Sequence, residues 1–302
     1  MIKGLAITPP ILGRISIGKV VEKNGKRLPE KDDSFTITSQ VQNKDGWVLH
    51  PFDEGLRKAS GNGKIRSIPV RVLFNDPDLN LRAEYSLFDR QTGRPMCVGD
   101  GETCRRYTAS GIETLPCPSP DSCELAKAGC KPYGRLNVLI SDEDEVGSFI
   151  FRTTGYNSIR TLAARLSYYQ AVSGNLLACL PLELRLRGKS TTQSHRTAIY
   201  YVDLTVREGR TLEEAIAEAR QNDERRKAAG YDQAALDAAA KEGFANGAFE
   251  DSEEETPEII EEFYPDMGGA EGNTGNAAAT STKPSLKDKL DKKAASQSGE
   301  PA

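Results

Sequence analysis

The chain has 302 residues, of which 37% are hydrophobic and 28% charged. This composition is typical of a soluble protein with one large domain or two small ones. No run of eighteen apolar residues occurs, and the N-terminal stretch lacks the apolar core of a signal peptide. The sequence therefore predicts neither a membrane span nor secretion, and we expect a cytoplasmic protein.

The charge is distributed unevenly along the chain. Residues 1–210 carry 30 Lys and Arg against 23 Asp and Glu, whereas residues 211–302 carry 10 against 21. A basic body joined to an acidic tail is typical of proteins that handle nucleic acid, or that dock onto such a protein. A globular body with a solvated tail fits the same charges equally well.

The first half of the chain reads as strands. SFTITSQVQ (34–42) alternates apolar and polar residues, as a half-buried strand does. IRSIPVRVLF (65–74) and LRAEYSLFD (81–89) have the same character and are separated by the turn NDPDLN. We expect them to form an antiparallel pair from which the next segment is suspended.

The second half adds strands and one clear helix. Residues 158–174 place apolar side chains at helical spacing and end at Gly174. Further strands are predicted at 135–141, 148–155, 176–188 and 197–206. From residue 211 the chain becomes Ala-rich and helical, opening on a capping box at Thr211 and Glu214.

The predicted fold class is α+β. We expect a mainly antiparallel β body with an inserted zinc-binding cysteine loop, one central amphipathic helix, and a C-terminal tail that is helical and then acidic and disordered. The expected boundaries are 1–210 for the body, with the cysteine loop at 97–135, then 211–249 for the helical segment and 250–302 for the tail.

Five of the six cysteines lie between residues 97 and 130, among turn-forming residues. Thiols stay reduced in the cytoplasm, so the cluster favours a metal site over disulfides. Four thiolates suit tetrahedral Zn²⁺, and a closed site of this kind is structural. The predicted ligands are Cys104, Cys117, Cys123 and Cys130, with Cys97 as the alternative.

The spacing of these cysteines leaves other interpretations open. It is C-x6-C-x12-C-x5-C-x6-C, without the two-residue gap of a zinc ribbon. Scattered free thiols remain an alternative, and an iron–sulfur cluster is disfavoured by the same lack of a tight pair. Cys179, in an apolar stretch, is interpreted as a buried residue and not as a ligand.

A basic, hydroxyl-rich loop follows the strand at 176–188. Gly188-Lys189-Ser190 lacks the earlier Gly of a nucleotide-hydrolysing P-loop, because position 183 is Glu. Contact with nucleic-acid phosphates stays open. The residues predicted to make it are Arg185, Arg187, Lys189, His195 and Arg196.

The acidic stretch 250–266 contains nine carboxylates and no basic residue. Its apolar residues are predicted to anchor a protein partner; they are Ile259, Ile260, Phe263 and Tyr264. No catalytic constellation can be assembled from two histidines and no recognisable carboxylate pair. We therefore expect a protein that is not an enzyme.

Three stretches of the sequence stand out together: IPVRVLFNDPDLNLRAEYSLFDRQTGRPMCVGDG, CPSPDSCELAKAGCKPYGRLNV and FIFRTTGYNSIRTLAARL. In this order they resemble the phage recombination directionality factor family. The resemblance covers about residues 65–206. Members of the family are also labelled hydrolases or metal-binding proteins of mobile elements.

The resemblance implies an accessory protein, acting in a bacterial host cell, that binds a large serine integrase on DNA and promotes excision. The alternative is a single-stranded-DNA-binding replication protein whose acidic tail recruits replication enzymes; its stacking platform would come from tyrosines such as Tyr168, Tyr169, Tyr200 and Tyr201. A weaker alternative is a metal-dependent hydrolase.

Overall fold

The protein is described here from a computed structural model. The structure describes residues 10–23, 26–43, 46–140, 147–190, 198–244, 260, 263 and 264. The chain divides into two compact units, Met1–Gly268 and Gly269–Ala302, and all described residues belong to the first. Apart from Ile260, Phe263 and Tyr264, the C-terminal tail predicted to be disordered lies outside the described residues.

The larger of two sheets has nine strands in the order β3-β2-β1-β10-β9-β5-β6-β7-β8. All its neighbouring strands are antiparallel except β1 and β10. The strands are β1 (Ile11–Lys23), β2 (Lys26–Asn43), β3 (Gly46–Leu49), β5 (Leu81–Phe88), β6 (Pro95–Gly99), β7 (Thr103–Thr108), β8 (Gly111–Pro116), β9 (Lys131–Val138) and β10 (Ser148–Thr153).

The smaller sheet has three antiparallel strands in the order β12-β11-β4. They are β4 (Ser67–Val70), β11 (Leu182–Lys189) and β12 (Ile199–Val206). The helices are α1 (Pro51–Ala59), α2 (Pro77–Asn80), α3 (Ser119–Ser122), α4 (Tyr156–Ser173), α5 (Leu212–Ala228) and α6 (Gln233–Phe244), with 3-10 turns at Glu124–Ala128 and Leu177–Cys179.

One main core joins the two sheets and α4. Phe149, Phe151 and Leu136 of the large sheet belong to the same buried cluster as Leu184 of the small sheet and Leu162 of α4. The alternation of apolar residues along β9 and β10 places one face of each strand in this core. The structure therefore confirms an α+β fold with a large, mostly antiparallel sheet.

The predicted central helix and the hairpin before it are confirmed. α4 runs from Tyr156 to Ser173 and is followed by Gly174, which adopts the left-handed conformation that favours glycine at a helix end. β9 and β10 pair as an antiparallel hairpin, with Phe151 opposite Leu136. The connection between them falls at 141–146, outside the described residues.

The predicted pairing of 65–74 with 81–89 is wrong. β4 pairs with β11 of the small sheet, whereas β5 pairs with β6 and β9 of the large one. The physical reason is the short helix α2 between them. Asn80, fully buried, accepts hydrogen bonds from the backbone N–H groups of Leu73 and Phe74 and turns the chain away from β4.

The stretch 97–135 is also not the single inserted loop that its turn-forming residues suggest. β6, β7 and β8 continue the large sheet through it, so Cys97 and Cys104 lie within strands. Cys123 and Cys130 flank the 3-10 turn that returns the chain to β9. The segment has few apolar side chains, and it forms strands because the backbone hydrogen bonds between β6, β7 and β8 stabilise it.

The C-terminal helices follow the predicted start. Thr211 caps α5 and Glu214 completes the capping box. Ala215 and Ala219 are fully buried in the main core, so α5 attaches through small residues, not through a broad apolar stripe. No helix among the described residues is long and apolar enough to cross a membrane.

Candidate functional site

The cysteines gather at the far end of the large sheet, where β6, β7 and β8 form its edge. Cys104 lies directly opposite Gly99 in the pairing of β6 with β7. A Cβ atom at Gly99 would lie 2.6 Å from Cβ of Cys104 and 3.0 Å from Sγ of Cys117. Glycine at this position therefore lets the Cys117 thiol approach the strand that carries Cys104.

The other clustered cysteines come from two places, since Cys117 directly follows β8 whereas Cys123 and Cys130 flank the 3-10 turn. Cys130 and Cys117 pack against a small cluster of buried residues that includes Cys97 and Cys104. The backbone N–H of Cys130 donates to the carbonyl of Leu125 at 3.2 Å and fixes the end of the turn. All six cysteines of the chain are free thiols.

Burial favours the protonated form of two of these thiols, Cys104 and Cys130. Burial raises the pKa of Cys104 to about 11, helped by a hydrogen bond with Cys97. Burial likewise raises the pKa of Cys130 to about 12, and the charges of the other four cysteines add to the effect. The other four clustered cysteines therefore lie close enough to Cys130 to oppose its ionisation.

One cation faces the cysteine cluster. Nη2 of Arg106 lies 4.0 Å from Sγ of Cys104, and a hydrogen bond with Cys97 raises the pKa of Arg106. Nε of Arg106 is buried without a hydrogen-bond partner. A guanidinium here offsets the negative charge that a set of thiolates would carry.

The donor chemistry fits Zn²⁺, although the side chains are not arranged around an ion. Within the described ranges, no group of three or more His, Cys, Asp or Glu side chains has the geometry to hold a metal. Four cysteine thiolates nevertheless match the ligand preference of zinc, and this cluster offers five. Cys179 stands apart, buried in the main core.

The basic residues predicted to touch nucleic acid lie on the small sheet. Arg185 is paired with Glu183 and, at 3.1 Å, with Glu208. Nε of Arg187 lies 3.4 Å from the carboxylate of Asp203. Lys189 is exposed at the end of β11. His195 and Arg196 lie outside the described residues, so the predicted set is only partly placed.

The aromatic residues predicted to anchor a partner are buried on this chain's own body. Phe263 is 0% exposed, and its ring centroid lies 4.8 Å from that of Phe88 and 5.6 Å from that of Tyr133. Oη of Tyr264 donates to the carbonyl of Phe88 at 2.9 Å. Ile260 packs on the same cluster, and Ile259 lies outside the described residues.

A row of arginines on the large sheet is absent from the sequence interpretation. Arg82, Arg135 and Arg152 lie directly opposite one another on β5, β9 and β10, and so share one face of the sheet. Glu84 pairs with Arg82 at 3.0 Å and with Arg135 at 3.8 Å. The signal was available in the sequence of each strand, where the arginine directly adjoins an apolar residue that belongs to the core: Leu81, Leu136 or Phe151.

Comparison with protein families gives one match. The model of the Gp3-like family, described as recombination directionality factor-like, matches residues 12–207. A comparison with curated proteins finds no match. A comparison with solved structures finds none either. The matched residues cover more than half of the chain, including both sheets, α4 and the cysteine cluster. The chain therefore belongs to the Gp3-like family of recombination directionality factor-like proteins.

Proposed function

We propose that the protein is a non-catalytic recombination directionality factor of a phage or mobile element, which binds a large serine integrase and turns integration into excision. The observation that carries this proposal is the family match over residues 12–207. The family supports a phage DNA-transaction accessory protein with a protein partner. The integrase as that partner is the step that we add.

A recombination assay tests this function. A large serine integrase of the same phage or mobile element is incubated with its phage and host attachment sites, or with the two hybrid sites that integration leaves. Addition of the protein should suppress recombination of the first pair and activate recombination of the second. If the protein changes neither reaction, and no complex with the integrase forms on DNA, the proposed function is wrong.

A structural zinc ion held by four of the five clustered cysteines is the second part of the proposal. It is supported by the thiols' shared cluster and by the cation of Arg106 beside them. Zinc would replace the thiol protons and fix β7, the 3-10 turn and the start of β9 relative to one another. Cys104, Cys117, Cys123 and Cys130 remain the proposed ligands, with Cys97 as the alternative.

Metal analysis of the purified protein tests the zinc ion. About one zinc per chain is expected for a single structural site. Cys117→Ser should lose the metal and melt at lower temperature, whereas Cys179→Ser, outside the cluster, should keep it. Zinc-free protein, together with an unchanged melting temperature in Cys117→Ser, would rule the site out.

A single-stranded-DNA-binding replication protein is the second candidate function. It is favoured by aromatic side chains on the surface: Tyr156 and Tyr168 of α4 are 57% and 49% exposed. Lys189 is exposed on β11. Exposed rings and cations are the elements of a stacking platform for bases. Steeply salt-dependent binding of labelled single strands by the isolated protein would favour this function over the first.

A further inference from the structure

An aromatic pocket lies where β5 ends and β9 begins, next to the cysteine cluster. We define it by Phe88, Arg90, Gly129, Lys131 and Tyr133. The rings of Phe88 and Tyr133 meet edge to face, with centroids 5.5 Å apart. Phe263 completes a set of three mutually perpendicular rings and is wholly withdrawn from solvent. Such arrangements add specificity to the apolar contact.

The pocket recognises its occupant by more than apolar surface. Nζ of Lys131 lies 4.6 Å from the ring centroid of Phe263, and the guanidinium of Arg90 lies 4.7 Å from that of Tyr264. Gly129 has φ of 114°, and a Cβ there would lie 3.1 Å from the Tyr264 ring. Oη of Tyr264 also donates a hydrogen bond to the carbonyl of Phe88. Together these contacts favour a ligand with two adjacent aromatic residues.

The occupant comes from a part of the sequence far from the strands that build the pocket. Fifteen residues separate Phe244, the last residue of α6, from Ile260. All the pocket residues lie inside the family match, which ends at residue 207, whereas the occupant lies beyond it. The sequence around the occupant, EIIEEFYPD, places acidic residues beside the aromatic pair, complementary to Arg90 and Lys131.

We propose that the aromatic pocket is a docking site for an acidic peptide with two adjacent aromatic residues, carried by the protein partner, and that this chain's own Phe263 and Tyr264 compete for it. The identity of the partner as a DNA-transaction protein rests on the proposed function; the pocket does not. A tethered occupant acts at an effective concentration on the order of millimolar. To displace Phe263 and Tyr264, the partner's peptide must therefore bind the pocket with high affinity or be held near it by other contacts between the two proteins.

Peptide binding to the full-length protein tests the proposal. The probe is a fluorescent peptide with the sequence of residues 254–268, followed by anisotropy. The opened variant, Phe263→Ala with Tyr264→Ala, should bind it at least about tenfold more tightly than the unmodified protein, because the tethered competitor is gone. A peptide in which both aromatic residues are Ala should not bind.

Two further variants keep the result interpretable. Adding Lys131→Glu to the opened variant should weaken binding several-fold, since it reverses a charge at the rim. Adding Tyr107→Ala, at a residue 59% exposed elsewhere on the sheet, should leave binding unchanged. Circular dichroism of each variant checks that the sheet has formed, so that lost binding is not lost folding.

Three results would overturn the proposal. One is no binding of the peptide to the folded opened variant at about millimolar concentration. Another is equal binding to the opened and the unmodified protein, which would place the peptide elsewhere. The third is concentration-dependent dimerisation of the unmodified protein that the opened variant lacks, which would make a second copy the occupant. None of these depends on the recombination assay, so the proposed function can stand or fall separately.

Discussion

Replacing Asp53 by Ala should destabilise the protein strongly, although Asp53 is remote from the cysteine cluster. Asp53 lies in the first turn of α1 and is fully buried. Its carboxylate accepts a hydrogen bond from the backbone N–H of Ile37, in β2, at 2.9 Å. It also accepts from Nε of Arg57 at 2.6 Å and from Nη2 of Arg57 at 3.2 Å. Asp53 thereby attaches the helix to the sheet.

The size of the effect follows from the groups left behind. A buried backbone N–H without a partner costs about 1–3 kcal/mol, and a charge-assisted pair contributes about 1.5–3 kcal/mol. The side chain of Arg57 is 30% exposed, and without Asp53 it would still donate to the carbonyls of Phe35 and Gly63. The contribution of the charge-assisted pair is therefore taken at the lower end of its range. We expect a loss of about 3 kcal/mol in the free energy of unfolding.

The assay is thermal or urea denaturation of the full chain, followed by circular dichroism. A loss of about 3 kcal/mol corresponds to a fall of about 6–12 °C in the melting temperature of a protein of this size. Asp53→Asn should lose roughly half as much, because an amide oxygen can still accept from Ile37. Glu54→Ala provides the matched control, since Glu54 is 71% exposed and its pair with Lys58 contributes at most about 0.5 kcal/mol.

Equal melting temperatures for Asp53→Ala and Glu54→Ala would refute this reasoning. The same holds if removing Arg57 from the Asp53→Ala variant costs as much as removing it from the unmodified protein. A double-mutant cycle between the two residues should instead give a coupling of at least about 1 kcal/mol, as contacting residues in one network do.

Three other variants test separate features. Asn80→Ala should lower the free energy of unfolding, measured by urea denaturation, by about 2–4 kcal/mol, because the backbone N–H groups of Leu73 and Phe74 lose their acceptor. An unchanged urea midpoint would contradict the role given to Asn80. Burial opposes ionisation of Glu183, but hydrogen bonds from Ser67, Arg185 and the backbone of Glu208 hold its pKa below the ordinary 4.5. The Glu183 carboxylate therefore contributes to the free energy of unfolding above about pH 4.5, and this contribution is lost as the pH falls. In Glu183→Gln the free energy of unfolding should decrease less steeply below that pH. An unchanged decrease would contradict the role given to Glu183. Gly99→Ala should reduce bound zinc, since its Cβ would meet the Cys104 side chain; full metal content in that variant would contradict the close approach.

The regular elements could be predicted because their periodicity is local. α4 and the hairpin of β9 and β10 carry their apolar pattern within a few residues, and both are confirmed. The partner of β4 could not be predicted, since alternation marks a strand but not its neighbour. That choice depended on the buried side chain of Asn80, whose role appears only in three dimensions.

The candidate site was predictable in composition but not in form. The clustering of five cysteines along the sequence predicted a shared site, and four of the five belong to one packed cluster. The placement of Cys97 and Cys104 within β6 and β7 was not predictable, because strands held by edge pairing need no strong apolar alternation. The packing of Phe263 on its own chain was not predictable for a different reason. An aromatic pair in an acidic segment has the same sequence whether it contacts its own chain or a partner.

The parallel pairing of β1 with β10 has a consequence for the order of folding. Ile11 lies beside Ser148, although nearly half of the chain separates them. At a synthesis rate of about 5–20 residues per second, the ribosome delivers β10 roughly 7–27 s after β1. Until then the hairpin of β1 and β2 has an open edge, and contacts so distant in sequence form slowly. We expect the N-terminal hairpin to be the part of the nascent chain that is most prone to aggregation and most dependent on chaperones.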